Sequence, residues 1–484
     1  MKDNLRYFNK IVSKLKKATC KMLLRKDFEN ALNAISTCGQ ILYQANQHYA
    51  DDELEEYISQ IAATLPKLEK DMSIQENYKI LFYDGFGLNN RGLTQIYLRA
   101  LCRIGKVVYV THQRNREQIP TILQILGDAK AEVYWLTGET HYNLMMELNS
   151  AFGEFAPNSA FLYTTPYDVS ALAAFEHCAG FAARYQVNLT DHAFWLGRKA
   201  FDYCVEFRDY GASISRDERE IATEKLVKLP YYPAIDPNQA FQGYPFDCPE
   251  GSRVVFSGGA LYKTLGGENR YYDMVEHLVK EFPNVIFWYA GTGNRTEMDK
   301  LVAKYPNRVF LTQERNDLHQ VLKHCFFYLS TYPLCGGLMY QYAASAGKIP
   351  VTLKYDSVSD DFLLEQDKLG VDFNTLDAVK EEFNRLFNDD QYRLEKEKRV
   401  KESVLDQQTF TEQLQKLMET HSTDYAITYK KIDTKAFRGE YIKNLSKAQI
   451  AKLVGTRKTK ALLWHIPVCY LWGAMLNYKN RHLG

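Results

Sequence analysis

The sequence predicts an α/β protein made of two Rossmann-like domains, with helical extensions at both ends. Three observations point there. Two blocks alternate short apolar runs with amphipathic stretches, a proline- and aromatic-rich joint separates them, and both chain ends carry charged, helix-compatible sequence. At 484 residues the chain is long enough for two or three domains.

Residues 1–72 read as a helical N-terminal extension, with Leu5, Phe8, Ile11, Val12, Leu15 and Met22 at helical spacing. The following "DFENALNAISTCGQILYQANQHYADDELEEYISQIAATL" continues as helix pairs ending before Pro66. One such pair does not establish a repeat array.

The first alternating domain is expected over 73–235. "KILFYD" reads as a strand, "GFGLNNRG" as a glycine-bearing loop, the next stretch as an amphipathic helix, and "KVVYVT" as a parallel strand. "AEVYWLT" and "SAFLYTT" continue the alternation. "LPYYPAIDPNQAFQGYPFDCPEG" is the joint.

The second domain is expected over 236–400. It opens at "SRVVFSGGALYKTLGG" and passes through the helix "RYYDMVEHLVKEF", the strands "NVIFWYAG" and "RVFLTQ", and the helix "NDLHQVLKHC". The strand "FFYLS", the turn and helix "TYPLCGGLMYQYAASAG" and the strand "KIPVTL" follow. Beyond about residue 380 the chain is charged and helical, and 401–484 is a basic helical C-terminal region.

Composition narrows the function classes. Hydrophobic content of 46% and charged content of 25% are those of a soluble globular protein, and a net charge of +1 argues against general nucleic-acid binding. Nine cysteines without a CxxC pair indicate free thiols and a cytoplasmic setting. The N-terminus lacks a signal-peptide core. The longest apolar tract, Ala461–Tyr478, is broken by His465 and Pro467 and does not read as a membrane span.

Charge is concentrated at the ends. The first 26 residues carry nine Lys or Arg against one acid, and 430–460 carry ten against two. In the tail, Trp464, Tyr470, Trp472 and Tyr478 adjoin this charge, which suits peripheral docking on an anionic membrane. The competing reading packs the tail onto the core with its lysines in solvent.

Three glycine-bearing turns of the second block follow strands: "SGGALYK" with Gly258, Gly259 and Lys263, "AGTGN" with Gly291, and "PLCGGLMY" with Gly336, Gly337 and Leu338. Open α/β sheets bind ligands at the carboxyl ends of their strands, where glycine lets backbone amides approach phosphate oxygens. Lys263 supplies a full positive charge to the same place. Each turn alone is equally a plain tight turn; three at corresponding strand ends make a phosphate cradle. Neither GxGxxG nor GxxxxGK[ST] occurs, so dinucleotide-oxidoreductase and P-loop readings lack their fingerprints.

These turns, in this order, resemble the GT-B superfamily of nucleotide-sugar glycosyltransferases. The resemblance spans about 78–380 and is densest over 253–352, ending in Gly347-Lys348-Ile349-Pro350-Val351 as the family's G-x-P-V. "LYK" is similar to the phosphate-binding lysine segment of O-GlcNAc-transferase-like members. The resemblance implies two Rossmann-like domains facing across a cleft, the second binding the donor and the first the acceptor. It further implies donor diphosphate on Lys263 and at the 336–338 helix start, and base recognition near Glu314 and Arg315.

The chain departs from the pattern in one respect. Many retaining members place two glutamates across the late motif, one of them five residues before the glycine of G-x-P-V. That position is Tyr342 here, and neither Cys335 nor its neighbours supply the other. Stereochemical outcome therefore stays open, as does a noncatalytic relative.

In the first block, "NLTDHAFWLG" places Asp191 and His192 after a short strand. Histidine in this region of GT-B enzymes recurs near the transferred sugar, and it can take a proton near neutral pH. A histidine satisfying a buried loop is the alternative. Gly85, Gly87 and Gly92 would line the cleft opposite the donor, or form a plain βα turn. Asp360 and Asp361 form no DxD motif, so no metal is expected.

The expected function is transfer of a sugar from a nucleotide-diphosphate donor, UDP-linked, to a glycan or lipid-linked acceptor. It needs no cofactor and takes place at the cytoplasmic face of a membrane. A sugar-nucleotide epimerase and a noncatalytic partner-binding relative are the alternatives.

Overall fold

The computed structural model describes residues 2–69, 78–89, 92–236, 238–355, 361–435, 438, 441 and 445–482. The chain forms two compact units, one of 1–229 with 408–484 and one of 230–407.

The first unit opens with α1 (Lys2–Leu24), α2 (Phe28–Ala45) and α3 (Asp52–Ala62). Phe8, Ile11, Leu15 and Met22 are buried, so the helical period of the sequence is the face α1 turns inward. These helices share one apolar core with the sheet that follows. Asp51 starts α3 by accepting the Leu54 amide at 3.1 Å.

That sheet contains β1 (Lys79–Asp84), β2 (Lys106–His112), β3 (Glu132–Leu136), β4 (Ser159–Tyr163), β5 (Ala183–Val187), β6 (Tyr203–Glu206) and β7 (Leu226–Lys228). All seven strands are parallel, in the order β3-β2-β1-β4-β5-β6-β7. The intervening helices α4 (Gly92–Ile104), α5 (Pro120–Asp128), α6 (His141–Phe155) and α7 (Val169–His177) and, after β6, α8 (Asp209–Asp217) belong to the same unit. Central strands are apolar on both faces, which is why they read as continuous runs and not as alternation.

The second unit holds β8 (Arg253–Gly258), α9 (Arg270–Glu281), β9 (Val285–Ala290), α10 (Thr296–Lys304), β10 (Val309–Thr312) and α11 (Leu318–Lys323). It continues with β11 (Phe327–Leu329), α12 (Gly337–Ser345), β12 (Pro350–Leu353), β13 (Asp372–Phe373), α13 (Leu376–Asn388) and α14 (Asp390–Glu402). Its six strands are parallel, in the order β10-β9-β8-β11-β12-β13. The order reverses between β8 and β11. Such a switch point opens a crevice at the strands' carboxyl ends.

The C-terminal segment rejoins the first unit. In α15 (Gln407–Thr420), Phe410 meets Tyr97 edge-on at 5.3 Å. His421 bonds the Tyr185 hydroxyl at 3.0 Å and stacks on Tyr203 at 4.4 Å. Thr423 then donates to the Lys228 carbonyl at 2.6 Å, and Thr434 to Glu218 at 2.8 Å. α16 (Lys447–Val454) and α17 (Pro467–His482) complete this unit. No helix among the described residues is long and apolar enough to cross a membrane.

Candidate functional site

The switch point of the second sheet is where the glycine turns stand. β8 ends at Gly258, and the chain continues through Gly259 into a 3-10 turn, Leu261–Thr264. β11 leads into the turn that starts α12 at Gly336. Strand order thus brings together two turns separated by some seventy residues of sequence.

Backbone contact is tight between the turns after β8 and β9. The Gly259 amide donates to the Ala290 carbonyl at 3.0 Å, and the Leu261 amide to Thr292 at 2.8 Å. A Cβ on Gly291 would lie 1.9 Å from the Gly259 oxygen, so only glycine fits there. Gly259 itself has φ +121° with open space where a side chain would be. Tyrosines brace the strand end: Tyr271 donates to Ser257 at 2.7 Å and Tyr289 to the Gly259 carbonyl at 3.1 Å.

The 3-10 turn presents Lys263. Thr264 fixes the turn through the Leu261 carbonyl at 2.8 Å and the Tyr272 hydroxyl at 2.7 Å. The Leu334 amide reaches the Lys263 carbonyl at 3.3 Å, which ties this turn to the start of α12. Lys263 Nζ comes 3.4 Å from where a Cβ on Gly336 would stand. The ammonium has no hydrogen-bond or ion-pair partner among the described residues. Burial pushes its pKa below the usual lysine value, a shift the nearby Cys335 thiol partly opposes.

α12 begins with two glycines, and its N-cap Gly336 has no side chain with which to satisfy the first-turn amides. Positive potential from those amides and from Lys263 therefore converges on one spot. Gly337 packs against the Phe362 ring, while Leu338 and Tyr262 are exposed beside it. The turn before α12 is set by Thr331, which donates to the Leu334 carbonyl at 2.6 Å, and by Ser330, which donates to Cys335 Sγ at 3.1 Å.

Glu314 is exposed at the end of the turn after β10 and accepts from Thr292 at 2.9 Å. Arg315 is committed elsewhere. It pairs with the buried Asp317 through two contacts of 2.7 Å and lies over Trp288, so it shapes the loop and leaves Glu314 as the group facing solvent. Tyr342 donates to the Ala234 carbonyl at 2.7 Å, and the neighbouring Gln341 to Tyr231 and Phe362 carbonyls at 3.1 Å. The position where retaining relatives carry glutamate thus tethers 231–234 to α12.

In the first unit, Asp191 and His192 follow β5 on the loop that starts at Asn188. Asp191 is buried and pairs with Arg208 through contacts of 2.6 and 3.2 Å. Burial opposes its ionisation, but the Arg208 guanidinium and His192 more than reverse this, leaving the carboxyl well below its usual range. Such a group is an anion at any physiological pH and a poor proton carrier. Its role is to orient Arg208 and the His192 ring, whose Nδ1 is 3.3 Å away. The His192 side chain is 41% exposed.

The loop is held from below by residues that the sequence did not single out. Arg219 donates to the carbonyls of Thr190, Asp191 and Ala193 and lies over Trp195. Asn46 on the segment after α2 bonds the His192 carbonyl at 3.1 Å and receives the Phe194 amide at 2.9 Å. Gly85 and Gly87, at the end of β1, serve packing: Cβ atoms there would meet Thr164 and Asn115 at 2.1 and 1.9 Å. A Cβ on Gly92 would meet nothing.

Among the described residues no group of three or more His, Cys, Asp or Glu side chains is arranged to hold a metal ion. Asp360 lies outside the described residues.

No protein-family model and no curated protein matches this sequence. Solved structures do match. An O-GlcNAc transferase from Thermobaculum terrenum aligns over 90% of this chain and 82% of its own, at 16% identity and a TM-score of 0.52. A UDP-N-acetylglucosamine 2-epimerase assigned in Listeria monocytogenes aligns over 74% of this chain and 100% of its own, at 11% identity and a TM-score of 0.50.

The chain has the GT-B fold. At such low identity the likeness concerns the backbone, and site chemistry must come from this chain's own residues. Within the GT-B framework the second sheet's switch point carries the Lys263 and Gly336 turns. Arg208 and Arg219 escaped the sequence reading because "FRDYGASISRDER" looks like a solvated charged stretch. Only the fold reveals that Arg208 and Arg219 turn inward.

Proposed function

We propose that this GT-B protein is a glycosyltransferase that takes a UDP-linked sugar as substrate and passes it to a glycan or a lipid-linked saccharide. The reading is carried by one observation: a partly buried lysine, without a hydrogen-bond or ion-pair partner among the described residues, beside the uncapped start of α12 at the switch point of the second sheet. A diphosphate would supply the missing negative charge and accept the free amides. The same positive groups favour departure of the nucleoside diphosphate as the glycosidic bond breaks.

Gly258, Gly259 and Gly291 let the phosphates approach the backbone, and Gly337 and Leu338 begin the receiving helix. Glu314 is placed to meet the ribose or base. His192, oriented by Asp191, contacts the transferred sugar or accepts the acceptor proton. No metal or resident cofactor is invoked. Both solved relatives are named for N-acetylglucosamine chemistry, which makes UDP-N-acetylglucosamine the first donor to try. A lipid-linked acceptor would place the enzyme on the cytoplasmic face of a membrane, peripheral to the bilayer, as part of surface-polysaccharide or glycoconjugate synthesis.

A second reading, a sugar-nucleotide epimerase, draws support from the Listeria monocytogenes relative. Tyr342 in the glutamate position favours a third, a noncatalytic relative that binds a partner glycosyltransferase. One experiment separates the three. The protein is incubated with UDP-N-acetylglucosamine and other UDP-sugars, with and without an acceptor panel, and products are followed by mass spectrometry and NMR. Acceptor-dependent UDP release supports transfer. A changed sugar without acceptor indicates epimerisation, and binding without turnover indicates the noncatalytic relative.

A further inference from the structure

The last helix is half-covered. Trp464, Val468, Leu471, Met475 and Tyr478 are 85, 82, 58, 48 and 65% exposed, and from 468 onward they recur at three- and four-residue spacing along one face of α17. The opposite side is spent on packing, with Ile466 and Cys469 buried in the core. A stripe of five large apolar side chains in water is far from the scattered single exposures of an ordinary surface.

Cations border the stripe. α1 is fixed against this region by a hydrogen bond from Tyr7 to Cys469 Sγ at 3.4 Å and by the Lys447–Asp3 ion pair. Its outer face presents Lys10, Lys14, Lys17 and Lys21, with Arg25 just past its end, all exposed and none in an ion pair among the described residues. Lys14 lies close enough to act electrostatically on Cys469, and Lys21 and Arg25 on His465, the residue after Trp464. Arg457, Lys458 and Lys460, just ahead of Trp464 in the chain, are also exposed.

An exposed apolar stripe with exposed cations nearby matches the layering of an anionic bilayer surface, with acyl chains below and phosphates at the headgroup level. Over its 16 described residues α17 is not long and apolar enough to cross a membrane, and a one-sided apolar stripe suits a helix lying along an interface.

We propose that α17 and the outer face of α1 together form a docking surface for bilayers rich in anionic phospholipid. Apolar side chains of α17 insert below the headgroups, and the lysines of α1 pair with lipid phosphates. This deepens the membrane-facing half of the proposed function, and it is tested separately from donor binding.

The test is flotation of the full chain with vesicles of phosphatidylcholine alone and of phosphatidylcholine mixed with phosphatidylglycerol. The expected result is binding to the mixed vesicles, weak binding to phosphatidylcholine alone, and loss of binding in high salt. Val468→Glu/Leu471→Glu/Met475→Glu and Lys14→Glu/Lys17→Glu/Lys21→Glu should each weaken binding at least about tenfold. Both variants alter exposed side chains, so circular dichroism melting and UDP affinity should stay at wild-type values. Failure of the full chain to float with anionic vesicles overturns the proposal, as does binding that neither variant changes. A dimer that the apolar variant dissolves, without vesicle binding, overturns it in favour of a second copy on this face.

Discussion

Lys263 Nζ stands 3.4 Å from the Cβ position of Gly336, so the ammonium after β8 lies directly beside the start of the helix after β11. A Cβ at 336 would just touch the lysine at van der Waals distance. Two elements distant in sequence thus contribute to one positive locus, and its consequences can be measured.

Lys263→Met should leave the ligand-free protein as stable as wild type or more so, because it removes a partly buried charge that has no counter-ion among the described residues. The sign follows from the lowered pKa. Below its folded value the protonated lysine costs stability. As pH rises from there toward the usual 10.5, the unfolded chain holds the proton longer and wild type gains. The stability gap between variant and wild type should therefore narrow with rising pH. Thermal melts across the alkaline range check this.

Gly291→Ala would drive a Cβ into the Gly259 carbonyl at 1.9 Å, forcing the two turns apart. Overpacking of this kind costs about 1–3 kcal/mol. We expect a lower melting temperature together with weaker nucleotide binding, since the backbone proposed to face the phosphates moves with Gly259. Calorimetric melting and nucleotide titration on the same sample measure both.

Asp191 and His192 should separate cleanly. Asp191→Ala strands the buried Arg208 charge and is expected to cost about 3–5 kcal/mol. Stability from this pair is present above the usual aspartate pKa and is lost as pH falls toward the lowered folded value. His192→Ala removes a half-exposed ring and should change stability by no more than about 0.5 kcal/mol. If His192 handles the proton, turnover falls on the order of 10²–10⁴-fold. Chemical denaturation and steady-state rates distinguish the two effects.

Much of this was legible in the sequence because buried parallel strands such as "KILFYD" and "NVIFWYA" are unbroken apolar runs, and the turns between them carry glycine. That the Lys263 and Gly336 turns follow strands of the second block could be read locally, and the strand order then sets them side by side. What stayed hidden depends on long-range pairing. Nothing local marks Arg219 as the residue that gathers three carbonyls under Asp191, or Tyr342 as a tether to Ala234. Nor does composition reveal that 408–484 returns to the first unit, because the core that Ile450, Val454 and Leu462 join there is built by residues far away in sequence. The exposed stripe of α17 was likewise only a set of aromatic residues until burial separated its two faces.

Glu55 offers a check on the helical N-terminus. It is fully buried and accepts the Gly197 amide at 2.7 Å, and burial raises its pKa to about 7. Its second oxygen has no hydrogen-bond partner among the described residues. A raised folded pKa means stability falls as pH climbs from the unfolded value of 4.5 through 7, by roughly 3 kcal/mol in all. Glu55→Gln should raise the melting temperature above pH 7 and have little effect below the unfolded pKa.

The most direct measurement is isothermal titration of UDP into wild type and into Lys263→Met at neutral pH. A diphosphate site at the second switch point predicts saturable one-to-one binding to wild type, and affinity lower by at least about tenfold in the variant, as expected for loss of a charge-assisted contact. Equal UDP affinity in the two proteins, with both folded, would contradict it.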